Sequence, residues 1–206
     1  MAYVGDTRSR KLLAKLRRFG IGQIIIRGRL RGRRLDRWAY DNGAFEDWRK
    51  GRDFDAAQFI SDLREMMATG ERPDWIVLPD RVADRHSGDL SKSWLRRLNR
   101  LGLTPAPFYF AVQDGMASAD VPWDEIAGIF VGGTLDWKRR AVANWAALAR
   151  KHGIKCHYAR CGTARRIAQA KALGYDSLDS CLPLWSRENC ASFLGALDQV
   201  EMFSEV

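Results

Sequence analysis

Short apolar runs alternate with longer amphipathic segments along nearly the whole chain, and this alternation restricts the fold more than any other feature. We interpret eight runs as strands, at residues 2–4, 22–27, 37–42, 75–80, 107–113, 128–133, 155–161 and 175–180. Most of the segments between them place apolar side chains three or four residues apart, the spacing of an amphipathic helix. Eight strands that alternate with helices predict a single α/β domain folded as a closed (β/α)₈ barrel, although an open doubly wound sheet gives a similar pattern.

Two connections break this regularity. The segment between the second and third strands is rich in arginine and glycine and shows no helical spacing. Before the sixth strand there is room for only a short helical turn. We therefore expect a barrel with irregular insertions.

The size and composition of the chain fit one globular domain over residues 1–206. Its 206 residues and hydrophobic fraction of 46 % are ordinary for a domain with a substantial core. No apolar run approaches the roughly 20 residues that a membrane-spanning helix requires, and the N-terminus lacks the features of a signal peptide. We expect a soluble, cytoplasmic protein with no membrane partner. Its four cysteines form no Cys-x-x-Cys pair, so reduced thiols are expected.

The chain is strongly basic, with a formal net charge of +9. Clustered Lys and Arg displace the counterions condensed on nucleic acid, so this charge favours a polyanionic partner without distinguishing DNA from RNA. Glycines at positions 28 and 32 lie among several arginines, which indicates a flexible loop. We predict that the arginines of this loop contact phosphates of the nucleic acid: Arg27, Arg29, Arg31, Arg33 and Arg34. The alternative is a solvated basic face without a ligand.

Polar residues and glycines follow the predicted strands where each strand ends. They are Asp41, Asp80, Gln113, Gly132, Gly133 and Asp179. Each residue alone has an ordinary explanation as a helix cap or a turn former. In a (β/α)₈ barrel, however, the carboxyl ends of all strands meet at one mouth, where active sites are built. We therefore expect these residues to converge, with Asp41 and Asp179 as the catalytic carboxylates.

Five segments, in order, resemble the guanine transglycosylases, which exchange a guanine in a nucleic acid for a 7-deazaguanine base. DNGAF (41–45) is similar to the family's D-S-G-G-F/Y motif, and Asp80 in VLPD resembles its base-reading aspartate. AVQDG (111–115) resembles its V-Q-G segment and FVGGT (130–134) its V-G-G-L turn. The most specific match is HYARCGTARRIAQAKALGYDSLDSCLP (157–183), which resembles H-Y-L-M-G-V-G, a helix and G-x-D-x-F-D-C-V-L-P.

The resemblance implies a role for each matched residue. Asp179 would be the nucleophile that forms a covalent sugar intermediate, as in a retaining glycosidase, and Asp41 would move protons to and from the bases. Asp80 would accept hydrogen bonds from N1–H and the 2-amino group of the base. The amide of Gln113 and the backbone N–H of Gly133 would donate to O6. Phe45 would stack on the ring, and Gly132 would allow close approach of the backbone.

The chain departs from the family at several points. The tRNA enzymes hold a structural zinc through three cysteines and a histidine, whereas only Cys181 and Cys190 lie near the corresponding position here. We expect no metal and no cofactor. Arg160 replaces a methionine that faces the base, and Asn42 replaces a serine. We expect His157 to lie inside the barrel, as an interior side chain or a partner of a catalytic residue.

The short chain is most similar to the phage-associated branch that inserts 7-deazaguanines into DNA. The leading hypothesis is therefore an enzyme whose partners are DNA and a free 7-cyano- or 7-aminomethyl-7-deazaguanine, acting in the host cytoplasm if it is phage-encoded. Trp48 and Trp185, which lie near the predicted mouth, would stack on a flipped nucleotide. The alternatives are a tRNA-guanine transglycosylase, a non-catalytic barrel that binds nucleic acid or a modified base, and a glycosidase that uses water. The oligomeric state stays open.

Overall fold

The computed structural model is a closed barrel of eight parallel strands. It describes residues 1–201, so residues 202–206 of the predicted domain lie outside it. The strands are β1 (Ala2–Val4), β2 (Gly22–Ile26), β3 (Trp38–Asp41), β4 (Ile76–Val77), β5 (Phe108–Val112), β6 (Gly128–Val131), β7 (Lys155–Tyr158) and β8 (Ser177–Ser180). Each strand pairs with the next in sequence, and β1 closes the ring on β8 with Tyr3 opposite Asp179. The predicted (β/α)₈ barrel is therefore confirmed.

Helices cover the outside of the barrel. They are α1 (Arg10–Arg18), α2 (Ala44–Arg49), α3 (Ala56–Thr69), α4 (Ser87–Leu101), α5 (Leu135–Lys151), α6 (Ala164–Ala172) and α7 (Arg187–Glu201). The two irregular connections lie where they were predicted. Residues 27–37 link β2 to β3 without a helix, and two 3₁₀ turns, Ser118–Asp120 and Trp123–Glu125, precede β6. Within residues 1–201, no helix is both long and apolar enough to cross a membrane.

Helix boundaries follow local capping chemistry. Asp55 accepts a hydrogen bond from the backbone N–H of Gln58 at the start of α3, and Gly70 ends that helix in the left-handed conformation that glycine adopts without strain. Thr134 caps α5. Asp136 lies in the first turn of this helix.

The lower part of the barrel is filled by aromatic side chains. Tyr3, Trp75 and Tyr109 are buried there, with the Trp75 and Tyr109 rings stacked 5.0 Å apart. Two strand glycines make room for the tyrosines. A Cβ at Gly22 would lie 2.5 Å from the Tyr3 ring, and one at Gly128 would lie 2.6 Å from the Tyr109 ring. These rings form an apolar floor below the mouth of the barrel.

Alternation along the strands determines which side chains point inward above this floor. Successive side chains of a strand face opposite sides, so residues two apart share a face. Trp75, Tyr109 and Gly128 point inward, so every second residue after each of them also points inward, up to the carboxyl end of the strand. Asp179 lies opposite the inward-pointing Tyr3 in the β1–β8 pair and shares its face. The inward positions at that level include Asp41, Gln113, Gly132 and Asp179.

Candidate functional site

One cavity of about 170 Å³ opens at the carboxyl ends of the strands. Every strand-end residue named from the sequence lines it, together with Phe45, which lies on α2. The predicted residues on its wall are Asp41, Phe45, Asp80, Gln113, Gly132, Gly133 and Asp179. The expected convergence is therefore confirmed, while the chemical role of each residue stays a prediction. Apolar side chains such as Ile24, Val77 and Phe130 form much of the remaining wall.

Asp179 is held by one of its two carboxylate oxygens. Oδ1 accepts hydrogen bonds from His157 Nε2 (3.0 Å) and from the backbone N–H of Arg160 (3.0 Å). Among the described residues, none donates a hydrogen bond to Oδ2. The side chain is 10 % exposed. Asp179 therefore presents one fixed oxygen and one free oxygen, which is the arrangement that a carboxylate nucleophile requires.

His157 supports Asp179 from inside the barrel, as one of our two alternatives for it predicted. Its side chain is fully buried between Phe130, stacked at 4.9 Å, and Trp75, at 4.8 Å. Burial lowers the pKa of its imidazole, which favours the neutral ring. With Nε2–H donating to Asp179, Nδ1 accepts from the Ser177 hydroxyl at 2.8 Å. A carboxylate only accepts hydrogen bonds, so Asp179 fixes the tautomer that carries Nε2–H, and Ser177 helps to orient the ring through Nδ1.

Asp41 lies at the end of β3, where its Oδ1 accepts a hydrogen bond from the backbone N–H of Gly43 (2.6 Å). Burial and, to a lesser extent, the nearby negative charge of Asp179 raise the pKa of Asp41 to about 6, against the opposing effects of the Gly43 hydrogen bond and Arg27. A carboxyl group with this pKa exchanges protons readily near neutral pH. Asp41 therefore has the properties expected of a general acid and base.

Asp80 follows β4 and is buried beneath two amide side chains. Asn42 Nδ2 donates to its Oδ1 (2.7 Å), and Gln113 Nε2 donates to its Oδ2 (2.6 Å). Burial raises the pKa of Asp80 to about 6, against the opposing effect of these hydrogen bonds. Each carboxylate oxygen keeps further acceptor capacity. Asp80 can therefore accept a pair of adjacent N–H donors from a ligand.

Asn42 and Gln113 also hold the surrounding loops. Asn42 Nδ2 donates to the carbonyl of Leu78, and its Oδ1 accepts from the N–H of Ala44. Gln113 Oε1 accepts from the N–H of Ala83. The sequence indicated that the Gln113 amide would donate to a base, and the structure shows that one of its two N–H hydrogens is already used by Asp80.

The glycine pair after β6 is required by its surroundings. A Cβ at Gly132 would lie 2.6 Å from Gln113 Nε2, and one at Gly133 would lie 2.4 Å from Asp114 Oδ2. Gly133 also has a φ of +73°, which favours glycine. Its backbone N–H makes no hydrogen bond to any described residue. This turn therefore brings the main chain to the cavity wall with a free donor.

Phe45 is the exposed aromatic residue on the cavity wall. It is 38 % exposed, and its ring lies 5.8 Å from that of Trp48. The guanidinium of Arg160 lies 4.4 Å from the centre of the Phe45 ring, within cation–π range. Trp48 (54 % exposed) and Trp185 (71 % exposed) lie beyond the carboxyl ends of β3 and β8. The rim of the mouth therefore carries exposed aromatic rings.

Lys138 is a neighbour of the site that was not predicted from the sequence. It is 1 % exposed, and its Nζ donates to the carbonyl of Ala159 (2.6 Å), which lines the cavity. Burial, followed by the charge of Arg160, lowers its pKa to about 7, although Asp179 opposes the shift. A sequence signal existed, because Lys138, Val142 and Trp145 have the i, i+4, i+7 spacing of one buried helix face.

The arginine-rich segment divides into buried and exposed side chains. Arg27 is only 9 % exposed and pairs with Asp47 at 2.5 Å, while Arg34 pairs with Glu71 and lies over the Trp38 ring. These two guanidinium groups hold the loop to the barrel, which differs from the phosphate contacts expected for them. Arg29 is 51 % exposed, Arg31 is 89 % exposed, and Arg33 is exposed. The surface available to a polyanion on this segment is therefore formed by Arg29, Arg31 and Arg33.

No set of three or more His, Cys, Asp or Glu side chains in residues 1–201 is arranged to hold a metal ion. Cys181 lies on the cavity wall, whereas Cys190 is buried on α7.

Comparison with known proteins supports the fold. No protein-family model and no curated protein matches the sequence. Among solved structures, RipC from Yersinia pestis has a TM-score of 0.52 at 14 % identity, over 93 % of this chain and 94 % of that one. A mandelate oxidase variant with an FMN adduct has a TM-score of 0.54 at 13 % identity, over 97 % of this chain and 70 % of that one. At such low identity, these similarities show the barrel architecture alone.

Proposed function

We propose that this protein is a base-exchange glycosyltransferase that replaces guanine in DNA with a 7-deazaguanine. The observation that carries the proposal is the convergence of Asp41, Asp80 and Asp179 on one cavity at the carboxyl end of the barrel. Each carboxylate has different hydrogen-bond partners, which suits a different task. The resemblance of the five sequence segments to guanine transglycosylases supports the same assignment.

The first half of the reaction breaks the bond between guanine N9 and C1′ of the deoxyribose. Positive charge develops on the sugar, and Oδ2 of Asp179 bonds to C1′ as the bonding electron pair leaves with the base. The departing guanine takes up one proton, which Asp41 supplies. In the second half, the incoming 7-deazaguanine transfers its N9 proton to Asp41, and N9 bonds to C1′ and releases the Asp179 carboxylate. Two displacements restore the original stereochemistry, and no net proton is consumed.

Recognition of the base follows from the donors and acceptors on the cavity wall. A guanine-like ring presents N1–H and a 2-amino group side by side, and the Asp80 carboxylate accepts both. The free N–H of Gly133 donates to O6. Asn42 and Gln113 hold Asp80 in place, so its orientation is fixed before the base arrives.

The polymer requires a surface around the mouth. Arg29 lies at the rim, 3.9 Å from Glu46 of the cavity wall, and Arg31 and Arg33 extend this basic surface along the loop. A guanine inside a duplex must be flipped out before Asp179 can reach C1′, and exposed rings such as Trp48 and Trp185 stabilise unstacked nucleotides. The choice of DNA over tRNA rests on the sequence resemblance.

The test is loss of labelled guanine from a polymer. DNA and, separately, tRNA that contain radiolabelled guanine are incubated with unlabelled 7-cyano- or 7-aminomethyl-7-deazaguanine. We expect label loss from DNA with the wild type and none with Asp179→Asn. An Asp89→Asn variant, whose side chain is 81 % exposed, is the matched control and should remain active.

Each other outcome identifies a different activity. Label loss from tRNA alone would replace DNA by tRNA as the substrate. Loss of guanine without incorporation of the new base would indicate a hydrolase. Loss from neither polymer, combined with binding that Asp179→Asn leaves intact, would indicate a non-catalytic binding protein.

A further inference from the structure

Arg160 is an unusual residue at the cavity wall. It has a φ of +55°, a left-handed conformation that residues other than glycine adopt only at a cost. Its backbone N–H donates to Asp179, and its side chain crosses the cavity wall to the Phe45 ring. The guanidinium also donates through Nη2 to the carbonyl of Gly133. One residue therefore connects the nucleophile, the aromatic ring and the glycine turn.

The position of Arg160 relative to a bound base follows from the chemistry of the ring. If Asp80 accepts from N1–H and the 2-amino group, and N9 faces Asp179, the remaining edge of the ring carries O6 and C7. Gly132, Gly133 and Arg160 form one part of the cavity wall, which the hydrogen bond from Arg160 to the Gly133 carbonyl holds together, and Asn42, Glu46 and Cys181 also line the cavity. A substituent on C7 therefore points toward the guanidinium.

We propose that Arg160 determines which 7-deazaguanine the protein accepts, by favouring a C7 substituent that accepts hydrogen bonds and rejecting a cationic one. This inference rests on the proposed function. A nitrile, amide or carboxylate group at C7 accepts a hydrogen bond from the guanidinium. An aminomethyl group is an ammonium ion at neutral pH and meets a like charge at short range.

The neighbouring groups reinforce this selection. The backbone carbonyl of Gly133, which could accept from an ammonium ion, already accepts from Arg160. Lys138 places a second basic side chain behind Ala159. The nearby carboxylate of Asp114 accepts hydrogen bonds from Thr134 N and Oγ1 and is not part of the cavity wall. Glu46, the remaining carboxylate that lines the cavity, is already paired with Lys50 and lies 3.9 Å from Arg29. The part of the wall formed by Gly133 and Arg160 therefore offers donors and positive charge to a C7 substituent.

The test compares two free bases, 7-cyano-7-deazaguanine and 7-aminomethyl-7-deazaguanine, in the DNA exchange reaction. The specificity constant for the cyano base is divided by that for the aminomethyl base in the wild type, Arg160→Met, Arg160→Lys and Arg165→Met. Methionine is unbranched and uncharged, and lysine keeps the charge. Arg165 is an exposed arginine on α6 and serves as the matched control. A ratio within each variant is insensitive to partial loss of folded protein.

We expect the wild type to prefer the cyano base at least about tenfold, since close like charges readily contribute the roughly 1.4 kcal/mol that this requires. Arg160→Met should lose most of this preference, whereas Arg160→Lys and Arg165→Met should keep it. A wild-type preference for the aminomethyl base, or a preference unchanged in Arg160→Met, would overturn the inference.

Labelled free guanine separates this inference from the proposed function, because guanine has no C7 substituent. Incorporation of guanine into DNA without the expected preference would overturn the role of Arg160 and leave the proposed function standing. Failure of the wild type to incorporate guanine and both substituted bases would overturn the two together.

Discussion

Replacing Asp41 by asparagine should make the protein more stable at neutral pH while it removes the proposed proton-transfer group. Burial raises the pKa of Asp41 from 3.8 to about 6, so the ionised carboxylate is less stable in the folded protein than in the unfolded chain. At 1.36 kcal/mol per pH unit, this difference corresponds to about 3 kcal/mol. Because Asp41 is partly exposed, we expect a gain of about 2 kcal/mol in the free energy of unfolding at pH 7.5.

The pH dependence of this gain identifies its cause. Above pH 6 the carboxylate is ionised in both states, so the folded protein carries the full penalty. Below the unfolded pKa of 3.8 the group is protonated in both states, and the penalty disappears. The stability difference between Asp41→Asn and the wild type should therefore shrink as the pH falls from about 6 to about 4. Asparagine keeps an oxygen for the Gly43 N–H, so that hydrogen bond is not lost.

Urea unfolding followed by tryptophan fluorescence at pH 7.5, 6.0 and 4.5 measures the difference directly. An Asp136→Asn variant is the control, because that side chain is 78 % exposed and its replacement should change stability little. An Asp41→Asn protein that is less stable than the wild type at pH 7.5 would refute the reasoning. A gain of equal size at all three pH values would also refute it, since the charge that the substitution removes is present in the folded wild type only when Asp41 is ionised.

Other consequences of the site can be measured separately. Binding of a free 7-deazaguanine base, measured by calorimetry, should weaken about tenfold per pH unit below pH 6. Burial raises the pKa of Asp80 to about 6, and only its ionised form accepts both ring donors. Equal affinity at pH 5 and pH 7.5 would exclude Asp80 as the residue that recognises the base. His157→Phe should keep the aromatic packing and lower kcat by about 10- to 100-fold, since Asp179 loses a donor to Oδ1; an unchanged kcat in a folded variant would show that His157 is only a core residue. Replacing Arg29, Arg31 and Arg33 together by alanine should make the plot of log binding constant against log salt concentration less steep, by the equivalent of up to about three phosphate contacts. A slope equal to that of the wild type would exclude this loop as the DNA-docking surface.

The positions of all eight strands could be predicted, most of them because a buried parallel strand is a continuous apolar run. Their lengths were less predictable. The fourth run was predicted over residues 75–80, whereas β4 contains only Ile76–Val77. Pro79 has no N–H to continue the ladder, so the chain leaves the barrel before Asp80. Helix α2 was not predicted, since its six residues are too few to show a period.

Site residues on strand ends were predictable, and the contacts among them were not. Strand alternation places Asp41, Gln113 and Asp179 at the mouth whatever surrounds them. The Asn42 and Gln113 bonds to Asp80, however, join residues more than 30 positions apart and depend on how the loops pack. The same holds for the contact of Arg160 with Phe45. Sequence patterns indicate which groups reach a site, while tertiary packing decides which of them remain free.

Three aspartates in one apolar cavity raise the question of which one carries a mobile proton. Asp179 accepts two hydrogen bonds on Oδ1, and Asp80 accepts one amide donor on each oxygen. Asp41 accepts one hydrogen bond, and the negative charge of Asp179 raises its pKa. Protonation of Asp41 therefore disrupts the fewest contacts and relieves the repulsion from Asp179. In the proposed mechanism Asp179 becomes an ester in the covalent intermediate, so that repulsion would end and the pKa of Asp41 would fall, which would favour transfer of its proton to the departing base.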